Sequence, residues 1–521
     1  MMRNRLLGSS LIVAMGYALS RLLGLGRDIV ITLNYGTSAE LDAFRASFGI
    51  IDMVYLVVAG GALGSAFIPV FSEYLTAGER RRAWQLAHGV LTITAAGLLV
   101  ACAAVAAFAE PLVRLSVGRG FDAATQRMTV DLLRLMLLQP MLLGIGALLK
   151  ATLESHDRFT LPSIAASTYN LGIIIGALSA PWFGITGLVW GVNLGALGFI
   201  ITQLPGLRGL GMLATWPRFA DVPRVWWLFW PRLIGQSTWQ INLIVIASLA
   251  SLLGVGAVAA NSIALQLMMV PHGLIALSIG TVLFPTLARQ YAAERHDDIR
   301  ATLTGAMRVV LFLALPLSTG LGLLASPIIR LMFERGAFDA QSTALTATAF
   351  GGYAVGLAAF ALAEIVVRAF YAMHDTRTPV LIACGAVVVN ITLGIWLTRA
   401  GYGLAGLGLA FSIANLAEAA ALVAMLQRRI GGLGSTFWRS AGDSVAGAAL
   451  VGVALIALQA LALRTGLVGD GRGPENPWAL LGWCALNGAT GAAAYIGWSA
   501  WRGSPELAAV TERLRQRILR R

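Results

Sequence analysis

Apolar runs of about twenty residues follow one another along the whole chain, separated by short polar breaks. Each run is long enough to cross a hydrocarbon core of about 30 Å as a helix. The pattern predicts fourteen spans, over residues 7–34, 42–72, 84–109, 128–151, 161–182, 184–204, 226–253, 257–287, 301–325, 343–371, 379–398, 403–426, 441–463 and 478–501. Alternating strands of about ten residues, the signature of a membrane barrel, do not occur in the pattern. Helices are then the remaining way to satisfy the backbone in lipid. The longest break, Pro205 to Arg224, leaves no room for a soluble domain. The expected fold is all-α, a polytopic membrane protein with about fourteen transmembrane helices.

The polar breaks carry an internal repeat. Glu110, Pro111 and Arg114, followed by Arg119, Gly120 and Asp122, return as Ser326, Pro327 and Arg330, followed by Arg335, Gly336 and Asp339. His156, Asp157, Arg158 and Pro162 return as His374, Asp375, Arg377 and Pro379; Pro69 matches Pro285, and Gly184 with Gly187 matches Gly403 with Gly406. The offset stays between 216 and 219 residues. Chance similarity between apolar helices would not hold that register through polar loops. Six spans per repeat is an even number, so the halves are expected to share one orientation about an axis along the membrane normal. The predicted organisation is an N-lobe at 1–215 with helices 1–6 and a C-lobe at 216–432 with helices 7–12. Residues 433–521 then hold helices 13 and 14 and a basic cytoplasmic tail. Two such lobes around a cavity are the geometry of alternating access; a duplicated scaffold without transport is the plain alternative.

Composition agrees with membrane embedding. Of 521 residues 57% are hydrophobic and 12% charged, with a mean hydropathy of +0.76; a soluble domain carries about 25% charged residues. The net charge is +13, and Lys150 is the single lysine. With the N-terminus inside, 24 of the 38 basic residues fall in cytoplasmic segments and eight outside. That bias predicts both termini in the cytoplasm and a multi-pass protein of a bacterial inner (plasma) membrane. The tail from Glu506 to Arg521 reads as a short basic helix on anionic headgroups. Because the basic residues are scattered between apolar spans, no nucleic-acid partner is expected. Cys102, Cys384 and Cys484 each sit alone in an apolar run, which supports neither a disulfide framework nor a metal site. Arg3, Arg5 and the run from Leu6 to Ser20 resemble a signal peptide, but no cleavage pattern follows, so a first span is expected.

Charges inside spans narrow the chemistry. A charge at a span centre costs roughly 2.5–3.5 kcal/mol on insertion scales, so retained ones usually face a cavity. Arg21, Arg27, Asp28, Asp42, Arg45 and Asp52 all fall in the first two spans. Asp42, Arg45 and Asp52, at spacings of three and seven, share one helical stripe. Gly24 and Gly26 separate Arg21 from Arg27 and offer a bend that brings both guanidiniums toward one space. A guanidinium stays charged and presents a planar fork to two oxygens, which suits phosphate. The competing reading makes Arg27 with Asp28, and Asp42 with Arg45, ion pairs that serve insertion and packing. Glu364 and Glu418 are candidate cation sites or hydrogen-bonded buried acids. Arg232 and Arg308 read as end-of-span residues. With no Walker A, kinase or nucleophile-elbow pattern, neither catalysis nor a cofactor is expected.

Several of these stretches resemble a known family. Ser20, Arg21, Gly24, Arg27 and Asp28, then Asp42 and Phe44, are similar to the lipid II flippase family (MurJ, also called MviN). So are Phe67 to Tyr74, Glu334 to Asp339, and Phe370 to Ala372 with Asp375 and Pro379. Related multidrug and polysaccharide exporters share the twelve-helix core. The resemblance implies a flippase for undecaprenyl-pyrophosphate-linked peptidoglycan precursor, with a cationic cavity in which Arg21, Arg27 and Asp42 match family positions. It also implies a further arginine where this chain has Tyr55, and Arg and Glu where Gln266 and Met269 precede Pro271-His272-Gly273. Arg45 and His272 are the candidates to supply that charge.

The leading expectation is therefore a monomeric lipid II flippase whose partners are lipid II, membrane lipids and a coupling ion. Substrate-site candidates are Arg21, Arg27, Asp42, Arg45, Tyr55, Gln266 and His272. A flippase for another polyprenyl-linked glycan is one alternative. Others are a cation-coupled small-molecule antiporter using Asp52, Glu364 or Glu418, and an inactive membrane scaffold.

Overall fold

The apolar runs become helices in the computed structural model. It describes residues 2–210, 215–465, 468, 473–508 and 511–512, without the side chains of 2–15, 17–18, 61–62, 231–232 and 234–235. The first half runs α1 (Met2–Tyr35), α2 (Ala39–Ala59), α3 (Gly61–Thr76), α4 (Arg80–Ala107), α5 (Ala109–Leu115), α6 (Ala123–Met136), α7 (Leu138–Glu154), α8 (Thr160–Leu178), α9 (Ala180–Gln203) and α10 (Val222–Ser251). The second runs α11 (Ala257–His272), α12 (Ser278–Ala292), α13 (His296–Leu323), α14 (Ala325–Phe333), α15 (Ala340–Ala372), α16 (Arg377–Arg399), α17 (Gly403–Ile430), α18 (Gly434–Arg464) and α19 (Pro477–Trp501).

Among the described residues, twelve of these helices or joined pairs are long and apolar enough to cross a membrane. The chain is an all-α polytopic membrane protein. The expected first and seventh spans, α1 and α10, are helices of 34 and 30 residues but are not among those twelve. Three expected spans are broken. Residues 42–72 split at Gly60, whose ψ of 170° cannot continue a helix. Residues 128–151 break between α6 and α7 at Leu137, three residues before Pro140. Residues 257–287 pass through a wider π turn, Gly273–Leu277, just after Pro271, because proline removes a helical donor and crowds the preceding turn.

Side chains in the polar breaks satisfy the first free N–H groups of the helices. Ser38 accepts from Leu41 N at 3.3 Å. The repeat-related Asp122 and Asp339 accept from Thr125 N at 3.1 Å and Ser342 N at 2.8 Å. Both carboxyls are held below the ordinary carboxylate range, Asp122 first by the Thr125 hydroxyl and Asp339 first by the Ser342 N–H. These caps are therefore intact at neutral pH and weaken only as acid protonates them.

The described chain packs as two units, Met1–Ala259 with Arg335–Phe338, and Ala260–Glu334 with Asp339–Arg521. In the first, Ile31, Phe44, Ile51, Leu133 and Val192 form one buried cluster. Phe67, Phe71, Trp84 and Phe229 form another. The helix α10 belongs here, with Gln240 Nε2 donating to Gly49 O at 3.0 Å and Arg224 paired to Glu73 at 2.8 Å. The packing boundary thus follows Ala259, whereas the sequence repeat divides at 215–216. In the second unit Leu303, Met307, Ile365, Phe370 and Leu422 pack around α15. The helices α18 and α19 join α13 through Phe312, Val451, Leu455 and Tyr495. Lipid tails give no hydrophobic drive between helices, so contact depends on close approach. At the crossing of α8 and α9 a Cβ on Gly176 would lie 2.5 Å from Gly191 Cα.

Two repeat-related turns make matching contacts within the first unit. Gly120 N donates to Ser251 Oγ at 3.1 Å, at the end of α10. Ala337 N donates to Leu33 O at 2.8 Å, near the end of α1. A Cβ on Gly120 would strike the carbonyl of Ser251, and one on Gly336, whose φ is +62°, would strike that of Leu33. Each turn therefore rests on the helix end at the corresponding place in the other repeat. Gly120→Ala and Gly336→Ala should each destabilise by about 1–3 kcal/mol from overpacking alone, with added left-handed strain at Gly336. Gly305→Ala, where a Cβ meets nothing within 4 Å, should be neutral or stabilising by up to about 1 kcal/mol. Melting of the detergent-solubilised variants checks this; equal melting of all three would contradict the packing argument.

Candidate functional site

The buried charges of α1 and α2 converge on a single carboxylate. Asp28 Oδ1 accepts from Arg27 Nη2 at 3.2 Å and from Arg45 Nη2 at 3.1 Å. Both arginine side chains are largely enclosed, 15% and 12% exposed. From α8, Asn170 Oδ1 accepts from Arg27 Nη1 at 3.2 Å, and Asn170 Nδ2 donates back to Ser20 O and Oγ at 3.3 Å. This bridge fixes the guanidinium of Arg27 between two helices. The Nε atoms of Arg27 and Arg45 are buried and have no hydrogen-bond partner. Asp52, about two turns beyond Arg45 along α2, lies within electrostatic reach of Arg27. Tyr169 stands nearby, its hydroxyl accepting from Gln139 Nε2 at 3.2 Å. Two guanidiniums that share one oxygen and keep two spare donors form a site suited to an anion with several acceptor oxygens.

Asp42 lies outside this cluster. It is 1% exposed, and its two oxygens accept from Gly256 N at 2.5 Å, just before α11, and from Ala259 N at 2.7 Å, in its first turn. The expected stripe of Asp42, Arg45 and Asp52 therefore separates: Arg45 turns to Asp28, and Asp42 caps another helix from the side. The alternative ion pair of Asp42 with Arg45 does not form, whereas that of Arg27 with Asp28 does. The helix α1 continues through Gly24 and Gly26. Arg21 is exposed and makes no hydrogen bond or ion pair among the described residues, while Arg27 is held in the cluster. Six residues apart on one helix, the two guanidiniums start roughly 120° apart around its axis.

The remaining candidates disperse. Tyr55 is half-buried against the first unit's core. In the second unit, Gln266 is half-buried, and His272 is buried with its ring stacked on Phe360, centroids 4.1 Å apart. Glu364 is paired with Arg368 at 2.8 Å, and Glu418 on α17 is within electrostatic reach of Glu364. Arg308 is paired with Glu506. The side chains of Arg3, Arg5 and Arg232, the residue Arg472 and the tail beyond Glu512 lie outside the described residues. Sequence reasoning missed Asn170, Ser20 and the backbone of Gly256 to Ala259. A lone asparagine inside an apolar run was the available signal for the first.

Comparison with known proteins gives one consistent answer. The sequence model described as Lipid II flippase MurJ matches residues 33–471. A Burkholderia cenocepacia protein named lipid II flippase MurJ is 29% identical over 393 residues, 73% of this chain and 76% of its own. A solved structure of lipid II flippase MurJ in an inward closed conformation is 23% identical, with a TM-score of 0.79 over 94% of this chain and 98% of that one. An inward-facing multidrug resistance MATE transporter of the MOP superfamily is 14% identical, with a TM-score of 0.69 over 80% and 95%. The two structures speak to the fold alone.

The contacts of Asp42 yield a direct expectation. Asp42→Ala leaves two buried N–H groups without acceptors, at about 1–3 kcal/mol each. The variant should melt well below the parent and accumulate poorly in membranes, both measurable by fluorescence-detected gel filtration. Unchanged melting would mean that the cap carries no weight.

Proposed function

This chain belongs to the lipid II flippase family MurJ, and on that premise we propose how it works. It translocates undecaprenyl-pyrophosphate-linked peptidoglycan precursor across the bacterial inner membrane by alternating access. Its task is transport rather than catalysis. Arg27 and Arg45 hold the pyrophosphate, with Arg21 as the exposed guanidinium that meets it first. One observation supports this reading above the others: both buried arginines share a single oxygen of Asp28 while the Nε of each lacks a partner. A diphosphate has more acceptor oxygens than a carboxylate and takes those donors as charge-assisted bonds. Asp42 contributes by anchoring α11, on which Gln266 and His272 sit. Tyr55, beside Asp52 on α2, borders the headgroup rather than binding its charge.

The repeat supports two lobes, 1–215 and 216–432, with 433–521 as an added helix pair. The distribution of basic residues supports both termini in the cytoplasm. The protein acts as a monomer, driven by an ion gradient or by the membrane potential, worth about 2.3 kcal/mol per charge per 100 mV. Asp52 and the Glu364, Arg368 and Glu418 group are the carboxylate sites at which a coupling cation would bind. That group equally supports a cation-coupled antiporter as the second reading.

In cells depleted of their own flippase, Arg27→Ala and Arg45→Ala should each lower outer-leaflet lipid II per molecule of membrane-inserted protein about tenfold or more, the loss of one charge-assisted contact. Normal leaflet distribution and growth with Arg27→Ala would remove the headgroup role. Rescue of a different polyprenyl-linked glycan, but not of lipid II, by the parent chain would move the substrate.

A further inference from the structure

A second polar cavity lies far along the chain from the α1–α2 cluster, where α13, α18, α19 and the segment after Trp501 meet. It has a volume of about 240 Å³, several times the roughly 30 Å³ share of one water molecule. Three arginines line it, Arg308, Arg439 and Arg502, against two acids, Asp443 and Glu506. Two of the three are committed. Arg308 Nε donates to Glu506 Oε1 at 2.7 Å, and Ser440 and Ser504 donate to the same carboxylate at 2.7 and 2.8 Å. Burial alone would raise the Glu506 carboxyl, but the hydrogen bonds from Ser440, Ser504 and Arg308 hold it below the ordinary carboxylate range, so it stays charged and occupied. Arg502 donates to Asp443 Oδ1 at 2.9 Å and lies over the rings of Trp498 and Trp501. Arg439 is exposed and has no hydrogen bond or ion pair among the described residues. The cavity therefore has one uncommitted positive charge.

A second observation points to a ligand. Tyr495, 6% exposed, lines the same cavity, and its hydroxyl is buried without a hydrogen-bond partner. The Ser444 side chain lies close enough to influence that hydroxyl, yet no hydrogen bond of ordinary distance and angle joins them. A buried orphan hydroxyl in a native protein calls for an occupant that completes it. The setting identifies the occupant's chemistry. Trp438 and Trp501 flank the region with 57% and 74% of their surface exposed, as tryptophans do at headgroup depth. Basic pockets between membrane helices accept anionic lipid headgroups.

We propose that this cavity is a binding site for the headgroup of an anionic glycerophospholipid, its phosphodiester on Arg439 and a headgroup hydroxyl or phosphate oxygen on Tyr495 Oη. The Arg308–Glu506 and Arg502–Asp443 pairs form the walls and keep the segment after α19 folded over the site. The bound lipid would tie α18 and α19 to α13. The inference does not depend on what the protein transports.

The test reads binding alone. The full chain in detergent is titrated with phosphatidylglycerol or phosphatidylcholine and adducts are counted by native mass spectrometry, with and without inorganic phosphate. Phosphatidylglycerol should be retained in preference to phosphatidylcholine. Arg439→Gln should weaken that retention about tenfold and Tyr495→Phe about threefold, as expected for one charge-assisted and one neutral hydrogen bond. Arg80→Gln, an exposed charge elsewhere, should change nothing. Retention by Arg439→Gln equal to the parent, or an equal loss in Arg80→Gln, would overturn the proposal. Displacement of the lipid by millimolar inorganic phosphate would assign the site to the free anion and overturn the lipid reading. Arg439 is at the surface, so its variant folds, and a transport defect has no bearing on the result.

Discussion

Lipid offers neither donors nor acceptors, so each polar group placed among these spans must find its partner inside the protein. That constraint accounts for the way the broken helices are tolerated. A new helix start at α11 exposes free N–H groups, and the carboxylate of Asp42 is already there to accept two of them. Asn34 and Ser47 return their side chains to carbonyls of their own helices. Tyr35 reaches across to the carbonyl of Gly184 at 2.8 Å, where the chain leaves helical geometry with a φ of +53°. Irregular backbone in this chain is supplied with partners by residues far away in sequence.

The same constraint shapes the arginine cluster. A bare guanidinium in a low-dielectric interior is costly, and removing one member of a buried pair costs about 3–5 kcal/mol. Asp28 holds two guanidiniums at once, and Asn170 fixes the angle of one of them. A carboxylate partner does not disqualify these arginines as anion ligands. Their desolvation is already met in the resting protein, so under the proposed function an arriving diphosphate would exchange one anionic partner for another rather than dehydrate a free cation. The exchange favours the ligand where it reaches donors that Asp28 leaves over, and the buried Nε atoms of Arg27 and Arg45 are such donors.

How much of this was readable in the sequence depends on the range of the interaction. Helix content and the repeat were legible because both rest on local patterns: apolar runs, turn glycines and aspartate caps at Asp122 and Asp339. The convergence of charge on α1 and α2 was legible as composition. The partners were not. Asp42 and Arg45 are three residues apart on one helix, which suggests a shared space, yet one side chain caps α11, more than two hundred residues away, and the other turns to Asp28. Helical periodicity gives the starting direction of a side chain but not what stands opposite. The break at Gly60 was hidden for a similar reason, since the apolar pattern continues through it and only the backbone angle reveals the stop.

The two turns at Gly120 and Gly336 show what a duplicated sequence adds beyond a duplicated fold. Each glycine lies where a β-carbon would strike a carbonyl at the end of a helix from the other repeat. At the second turn the bond is backbone to backbone, from Ala337 N to Leu33 O, and at the first it runs from Gly120 N to the Ser251 hydroxyl; either has a narrow range of good geometry, because a hydrogen bond weakens steeply once its angle falls toward 120°. The Ala337–Leu33 bond is also independent of side-chain rotamers. Such contacts hold firmly when made and release sharply once displaced by an ångström or two, whereas a contact between long side chains stretches gradually. Paired contacts at helix ends, one from each repeat, suit a protein that exchanges between discrete states.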